Sequence, residues 1–507
     1  MSAFQSTLLL TAVSFFSQAV GFFYRVLLSR MVGAEIMGLY QLIMPASAVL
    51  MSLTAVGFTV ACSNLSAQYR ARGNLWAADR VVRTCILGFL CAFGVVALVA
   101  VPLSDVISVR LLGDARSQLG LLLLLPCVLL TGLENIHKHS FYGASHVGPP
   151  ALTEICEQVI RTGAVLGLLW HFLPQNPERT VGLIVCGMIL CEIFSALTLA
   201  FLYRRATGRH PAGETVPQDI LRSKVFHIAL PIALTSLLGN LMGAANAVII
   251  PQQLVRSGQG VSESMASFGI LSGMTIPLLT LPTAFISAMG LVLLPRLAQA
   301  TALGRKDLCR RRATKALSAA AWLTLPTAAL LAVLAPHLGR TLFREEGVGQ
   351  FALPLAVIVV LSCFESVLTV CLNGLGKQAL VAKDGLVCGA VQLFVTWWRV
   401  GTPGVGLRGY VEALFVSTVL GVFLHWHSLH HAIGLQFQPF AWVVAPGLSA
   451  LLAGLWVNLL FPLLLRSGLG EGYSCLICLL FGALLYFCAM AAQGVVTRRP
   501  LPSPAGK

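Results

Sequence analysis

The chain has 507 residues, of which 57% are hydrophobic and only 10% charged, and its formal net charge is +15. A soluble domain carries about 25% charged residues, so this chain has too few to cover a water-facing surface. Its apolar residues come in runs of roughly 18 to 25, the length that crosses a hydrocarbon core. The composition therefore excludes a soluble enzyme and predicts an all-α membrane protein.

About fourteen apolar spans follow one another along the chain, separated by gaps of about two dozen residues at most. The predicted spans are 6–29, 40–69, 82–103, 117–143, 150–173, 181–203, 225–255, 264–297, 313–341, 351–376, 379–400, 406–433, 439–465 and 471–496. The first run has no basic n-region and no A-x-A site after it, so we expect no cleavable signal peptide. No gap is long enough for an extramembrane catalytic domain.

The basic residues lie mainly in the short loops, where they set orientation rather than bind nucleic acid. With the N-terminus in the cytoplasm, 22 of the 34 lysines and arginines fall in inner segments, Lys138 among them, and ten fall in outer segments. Arg25 and Arg161 lie within spans. The positive-inside rule therefore predicts a multi-pass protein with both termini in the cytoplasm.

The cysteines and histidines give no sign of a metal or redox site. Fourteen cysteines lie mostly in apolar runs, where thiols behave as small hydrophobic groups. Cys475 and Cys478 form a C-x-x-C pair inside a predicted span, so we predict neither a metal site nor a disulfide framework. The histidines at the inner end of the twelfth span are interpreted as interface anchors: His425, His427, His430 and His431.

An internal repeat appears when the sequence is shifted by 231 positions. Gly73 then coincides with Gly304, Glu134 with Glu365, and the basic loops after LSAQYRARGN and RLAQATALGR coincide as well. Chance seldom keeps one register over about seventy residues. We therefore predict two parallel six-helix repeats that form two lobes, an arrangement typical of transporters. The predicted divisions are an N-terminal lobe (1–210), a C-terminal lobe (211–434), and two additional helices with a cytoplasmic tail (435–507).

Ionisable side chains at bilayer depth are costly, so each one is a candidate functional residue. The segment PPALTEICEQVIRTG places Glu154, Glu157 and Arg161 on one helix face, and the last two are spaced for an ion pair. Two interpretations stay open. The pair is either a structural bracket that packs this span against the preceding one through Glu134, or the polar wall of a cavity that handles a charged substrate or coupling ion.

Two arginines of the first span are candidates for binding an anionic substrate. A guanidinium group binds a diphosphate bidentately, so Arg25, Arg30 and Arg161 are the predicted substrate-binding residues. Arg30 can alternatively reach the outer headgroups. The remaining candidates for the cavity or the coupling ion are Glu134, Glu192, Glu365, Asn240 and Asn246. The two asparagines can alternatively form hydrogen bonds between helices.

Several of these segments resemble a known family. YRVLLSRMVGAEIMGLYQL at 24–42, PPALTEICEQVIRTG at 149–163 and LNGLGKQALVAKDG at 372–385 are similar to segments of the stage V sporulation protein B family. That family belongs to the multidrug/oligosaccharidyl-lipid/polysaccharide exporter superfamily, which also contains the bacterial lipid II flippase. The resemblance extends over essentially the whole chain, including the last two helices.

The resemblance implies a two-lobed transporter of the bacterial cytoplasmic membrane that alternates between inward-open and outward-open states. It implies a flippase, not an enzyme, whose cargo is an undecaprenyl-diphosphate-linked saccharide. The favoured cargo is a peptidoglycan precursor for the spore cortex, such as lipid II. Arg25 and Arg30 match the region in which lipid II flippases hold the diphosphate.

Several expectations and alternatives accompany this interpretation. We expect no cofactor apart from a coupling cation, sodium or proton. The expected partners are the lipid-linked saccharide, membrane lipids and cell-wall synthases, with no nucleic acid. Three alternatives stay open: an exporter of another lipid-linked polysaccharide unit, a drug/cation antiporter of the same fold, and a non-transporting scaffold for cell-wall enzymes. Such antiporters usually have twelve helices, so the two additional helices favour the lipid-linked branch.

Overall fold

The computed structural model describes residues 3–206 and 216–494, and within these ranges the chain is helical and contains no β-strand. The α-helices of eight residues or more are α1 Ala3–Thr54, α2 Val56–Ala71, α3 Leu75–Ala100, α4 Gln118–Gly143, α5 Gly148–Phe172, α6 Pro177–Ala206, α7 Gln218–Arg256, α8 Val261–Phe268, α9 Thr283–Ala302, α10 Lys306–Leu338, α11 Ala352–Gly374, α12 Gln378–Val400, α13 Leu407–Ile433, α14 Ala445–Arg466 and α15 Glu471–Ala492. The predicted all-α class is confirmed.

In the described ranges, 12 helices are long and apolar enough to cross a membrane. Two features reconcile this number with the fourteen spans predicted. Helix α5 carries Glu154, Glu157 and Arg161 and is too polar to be counted. Helix α1 counts once, although Gly33 (φ 78°, ψ 177°) divides it into two helical arms. The loop predicted between 29 and 40 is therefore a kink, because glycine accepts a positive φ without strain.

Packing divides the chain into two compact units: Met1–Gly269 with Thr396–Leu407, and Ile270–Val395 with Arg408–Lys507. In the first unit, α6 packs against both α4 and α5, and α7 packs against α1 and α2. In the second unit, α10 packs against α11, α14 and α15. The predicted lobes follow the sequence repeat rather than this packing, and their boundaries stay a prediction.

The helix boundaries repeat in the predicted register. The ends of α2 and α9, the starts of α3 and α10, and the ends of α4 and α11 are each 231 positions apart. The packing repeats as well. A Cβ on Gly143 would lie 2.8 Å from the carbonyl oxygen of Ser63, and one on Gly374 would lie 3.4 Å from that of Leu294. Since Ser63 and Leu294 are also 231 apart, each half contains the same close helix contact.

The surface of these helices suits a hydrocarbon environment. Large apolar side chains are exposed along many of them, including Leu98 (78% exposed), Trp170 (85%) and Leu455 (64%). Helices satisfy their own backbone hydrogen bonds and can therefore present such a surface to lipid. The chain is a multi-pass membrane protein.

Candidate functional site

Three carboxylates from successive helices meet inside the first unit. Glu134 on α4, Glu157 on α5 and Glu192 on α6 are 2%, 7% and 3% exposed. Their carboxylate oxygens lie within 4.8 Å of one another. Like charges at this separation repel strongly when water is excluded, because the local dielectric is low. The three groups therefore need positive charge beside them.

Lys138 and Arg161 supply that charge. The Nη2 of Arg161 contacts a carboxylate oxygen of Glu157 and lies 3.3 Å from Oε1 of Glu192. The Nζ of Lys138 lies 3.0 Å from Oε1 of Glu134, one turn away on α4. The predicted ion pair between Glu157 and Arg161 is confirmed. The pairing between helices joins α5 to α6, however, and not to the preceding helix as the bracket interpretation expected.

Small side chains on α6 allow it to approach α5 closely. A Cβ on Gly187 would lie 2.7 Å from the Cα of Val165, so only a glycine fits there. Further along the same helix, the thiol of Cys191 donates to the main-chain carbonyl of Glu157 at 3.2 Å. The hydroxyl of Ser195 donates to the carboxylate of Glu157 at 3.5 Å. These contacts hold both the backbone and the side chain of Glu157 against α6.

The five charged groups form a set, here called the buried charge cluster: Glu134, Lys138, Glu157, Arg161 and Glu192. It contains three acids and two bases, so one negative charge is left over when all are ionised. In the described part of the chain, Oε2 of Glu192 is buried without a hydrogen-bond partner, and the buried hydroxyl of Tyr24 lies nearby. The carboxylates are spaced as ligands of a metal ion could be, but two cationic side chains lie among the same oxygens and repel such an ion.

The predicted substrate arginines of the first span lie outside this cluster. Arg25 and Arg30 are exposed on α1. Neither takes part in the ion pairs that hold the cluster together. Glu154, one turn before Glu157, accepts a hydrogen bond from Ser17 at 3.5 Å and so connects α5 to α1.

The remaining candidates occupy other places. Asn240 on α7 donates to the hydroxyl of Ser52 on α1 at 2.6 Å. Asn246 accepts a hydrogen bond from the hydroxyl of Thr396 at 3.4 Å. Both asparagines therefore form hydrogen bonds between helices, which is the alternative role predicted for them. Glu365 belongs to the second unit, where it is half-buried on α11.

Sequence reasoning misses two members of the site. The sequence places Lys138 among the inner-loop cations, but its side chain is only 14% exposed and pairs within α4. Its spacing of four residues from Glu134 is the signal that could have found it. Tyr24 belongs to α1, more than a hundred positions earlier in the chain, and no local sequence pattern predicts that it lies beside the cluster.

Comparisons with known proteins identify a family and several relatives of this chain. Residues 3–301 match the polysaccharide biosynthesis protein family. Stage V sporulation protein B of Bacillus subtilis (strain 168) is 24% identical over 442 residues, which cover 86% of this chain and 85% of that protein. The predicted resemblance is thereby confirmed.

Solved structures of transporters share the fold. A structure of the lipid II flippase MurJ, in an inward closed conformation, aligns with a TM-score of 0.74 and 14% identity over 97% of this chain and all of its own. An inward-facing multidrug resistance MATE family transporter of the MOP superfamily aligns with a TM-score of 0.65 and 15% identity, over 82% of this chain and 95% of its own. At these identities the two structures show the fold alone. Because the family match covers more than half of the residues, the chain belongs to the polysaccharide biosynthesis protein family.

Proposed function

We propose that this chain is a flippase that moves an undecaprenyl-diphosphate-linked saccharide from the inner to the outer leaflet of the bacterial cytoplasmic membrane by alternating access. The favoured cargo is a peptidoglycan precursor such as lipid II. The observation that carries the proposal is the buried charge cluster in a bundle of membrane-crossing helices, because such charges are costly to keep at bilayer depth without a function. The family, the sporulation relative and the flippase fold support a lipid-linked cargo.

The geometry favours Arg25 as the principal group for the diphosphate. Arg161 already lies between the carboxylates of Glu157 and Glu192, which balance its charge. Arg25 is exposed on α1 and stands outside those pairs. A guanidinium group there can replace part of the hydration that a diphosphate loses in the membrane, by donating two parallel hydrogen bonds. In this assignment Arg30 is a second contact, and Arg161 holds α5 against α6.

The direction of transport follows from the proposed orientation. With both termini in the cytoplasm, the cargo loads from the side where the basic loops lie. No covalent bond is made or broken in such a transfer, so the chain acts as a transporter and not as an enzyme. Enzymes that polymerise cell-wall precursors consume the cargo on the outer side, and they are the proposed protein partners.

A binding and transfer assay tests the cargo. Purified full-length protein in lipid vesicles is given lipid II, an undecaprenyl diphosphate bearing an unrelated sugar, or undecaprenol without a phosphate. We expect binding and transfer of the diphosphate lipids and neither with undecaprenol. A preference of at least tenfold for lipid II supports a peptidoglycan precursor as cargo. Equal handling of all diphosphate lipids points to another polysaccharide unit.

A drug/cation antiporter is the second candidate, because the MATE transporter shares the fold. Cationic dyes provide the discriminating probe in the same vesicles. Dye export that is driven by a cation gradient, without any transfer of diphosphate lipids, would replace the flippase proposal. A protein that moves neither class of compound would instead fit a scaffold for cell-wall enzymes, although a scaffold has no need for a buried charge cluster.

A further inference from the structure

One carboxylate of the buried charge cluster has a counterpart at the corresponding position of the second unit, but its charged partners do not. Glu365 on α11 stands 231 positions after Glu134. The positions that correspond to Lys138, Glu157 and Arg161 hold three uncharged side chains: Thr369, Cys388 and Gln392. Glu365 lies against Gly421 of α13, where a Cβ would come within 2.2 Å of its Oε1. Among the described residues, no hydrogen bond or ion pair compensates this carboxylate.

A second carboxylate and an imidazole lie on the same group of helices. His425 on α13 is 4% exposed. Its Nδ1 lies 3.2 Å from the hydroxyl oxygen of Thr369 on α11. Its Nε2 lies 4.0 Å from Oδ2 of Asp384 on α12, whose side chain is 13% exposed. Within the part of the chain that the structure describes, this Nε2 is buried without a hydrogen-bond partner.

The charges that face His425 come from a short set of groups. Helix α12 presents Asp384, the charged side chain that acts on the imidazole. Helix α11 presents the neutral Thr369, with Glu365 one turn away. On a neighbouring face of α13, the side of Val422 and Trp426, a cavity shared with Leu317 and Trp442 has no charged residue in its lining. The groups around His425 are thus two carboxylates and the thiol of Cys388, which lies near both of them, with His425 as the titratable base. The cluster of the first unit contains fixed cations instead.

We propose that Asp384 and His425 together bind a proton, and that this pair is the proton site of the second unit. A neutral imidazole has one donor and one acceptor nitrogen, whereas the protonated ring donates from both. After proton uptake, Nδ1 donates to the hydroxyl oxygen of Thr369 and Nε2 donates to the carboxylate of Asp384. The buried nitrogen gains a partner and the buried carboxylate gains a counter-charge, both of which are strongly favoured away from water.

The ligand atoms favour a proton over sodium. Hard cations such as sodium are held by rings of oxygen atoms. Here the atom opposite the carboxylate is an imidazole nitrogen, 4.0 Å away. When the two side chains approach to hydrogen-bond distance, a proton can join this nitrogen to Asp384 by a single charged hydrogen bond. If the chain is the proposed flippase, this pair supplies its coupling ion, so the coupling role rests on that proposed function. The proton site itself does not.

The test begins with a readout that needs no transport. Full-length protein is labelled with ¹⁵N in its histidine rings, and the His425 signal is identified by its loss in His425→Gln. As the pH is lowered from about 8 to 5, the range in which histidine serves as a switch, this signal should change from the neutral to the charged form. In Asp384→Asn it should stay neutral throughout, because the carboxylate that stabilises the imidazolium is gone. His427→Gln, an exposed neighbour on the same helix, is the matched control and should leave the signal intact.

A second arm measures transfer of the diphosphate lipid in vesicles with and without a pH gradient. His425→Gln and Asp384→Asn should each abolish the acceleration by the gradient, while His427→Gln keeps it. A His425 ring that stays neutral in the unmodified protein, or that titrates identically in Asp384→Asn, overturns the proton site. If the unmodified protein transfers none of the lipids, the proposed function fails, and the ring signals still decide whether the site exists.

Discussion

Arg161 is the residue on which the buried charge cluster depends most. It contacts two carboxylates, those of Glu157 and Glu192, whereas Lys138 contacts Glu134 alone. Without Arg161, three buried carboxylates would face a single ammonium group. Removing one partner of a buried ion pair costs about 3 to 5 kcal/mol, because the group left behind is charged and no longer solvated.

The first prediction follows from that imbalance. Arg161→Ala should lower the melting temperature of the purified protein strongly, and the double change of Arg161→Ala with Glu157→Ala should recover much of the loss. The double variant removes one charge of each sign, so the net charge of the cluster stays the same. Thermal unfolding in detergent measures the melting temperatures of the single and the double variant. Arg179→Ala, on the exposed start of α6, is the control. A double variant that is less stable than Arg161→Ala would show that repulsion among the carboxylates does not govern the stability of the cluster.

A second prediction concerns Arg25 and belongs to the proposed diphosphate site. Arg25→Ala should abolish transfer of the diphosphate lipid while the protein remains expressed and folded, since this side chain is exposed and outside the cluster. Arg25→Lys should restore only part of the rate, because a point charge cannot form a bidentate pair. Arg30→Ala should be milder. Transfer at the normal rate by Arg25→Ala protein would remove this residue from the substrate site.

At the scale of the helix, the contact between α5 and α6 rests on one glycine. A methyl group on Gly187 would overlap the backbone of Val165, as the 2.7 Å separation from its Cα shows. We therefore predict that Gly187→Ala pushes the two helices apart, weakens the contact between Arg161 and Glu192, and lowers the melting temperature. Gly163→Ala on α5 is the matched control, because no atom lies within 4 Å of its Cβ position. Equal stability of the two variants would contradict the tight contact.

The sequence is sufficient for the helices and insufficient for their pairing. Apolar runs of membrane length locate the crossings because the bilayer imposes that length on each one. The kink at Gly33 escapes prediction because only a local φ of 78° separates the two arms of α1. Within one helix the ion pair of Glu157 with Arg161 follows from spacing. The contact of Arg161 with Glu192 could not be predicted, because it depends on how α6 packs against α5.

Burial also explains why the interpretation of His425, near the end of α13, as an interface anchor is wrong. The sequence places His425 among four histidines within seven residues, a pattern typical of an interface anchor. The structure buries His425 against Thr369 and Asp384 but leaves His427 and His431 exposed. Which side of a helix faces neighbouring helices is a property of packing, and a membrane helix that is apolar on all sides gives little sign of it.

At the scale of the whole molecule, the two halves share their helix boundaries but differ in their buried charges. The helix boundaries and the close contacts at Gly143 and Gly374 recur 231 positions apart. The charges do not recur: the first unit holds fixed cations beside its carboxylates, and the second holds a histidine. In a duplicated scaffold of this kind, the first half can keep a fixed set of charges while the second half, through the proposed proton site, changes its charge by one.

The last prediction concerns the orientation in the membrane. The basic loops predict this orientation, and it determines the side from which the proposed cargo would load. A cysteine at Arg72 or Arg305, both exposed just beyond the ends of α2 and α9, should react with an impermeant maleimide only after the cell is opened. A cysteine at Asn176, exposed between α5 and α6, should react in intact cells. Because the chain has fourteen cysteines of its own, labelling of the unmodified protein is subtracted as background. Labelling at position 72 from outside would invert the topology, since every later crossing alternates from it, and the cargo would then have to load from the opposite leaflet.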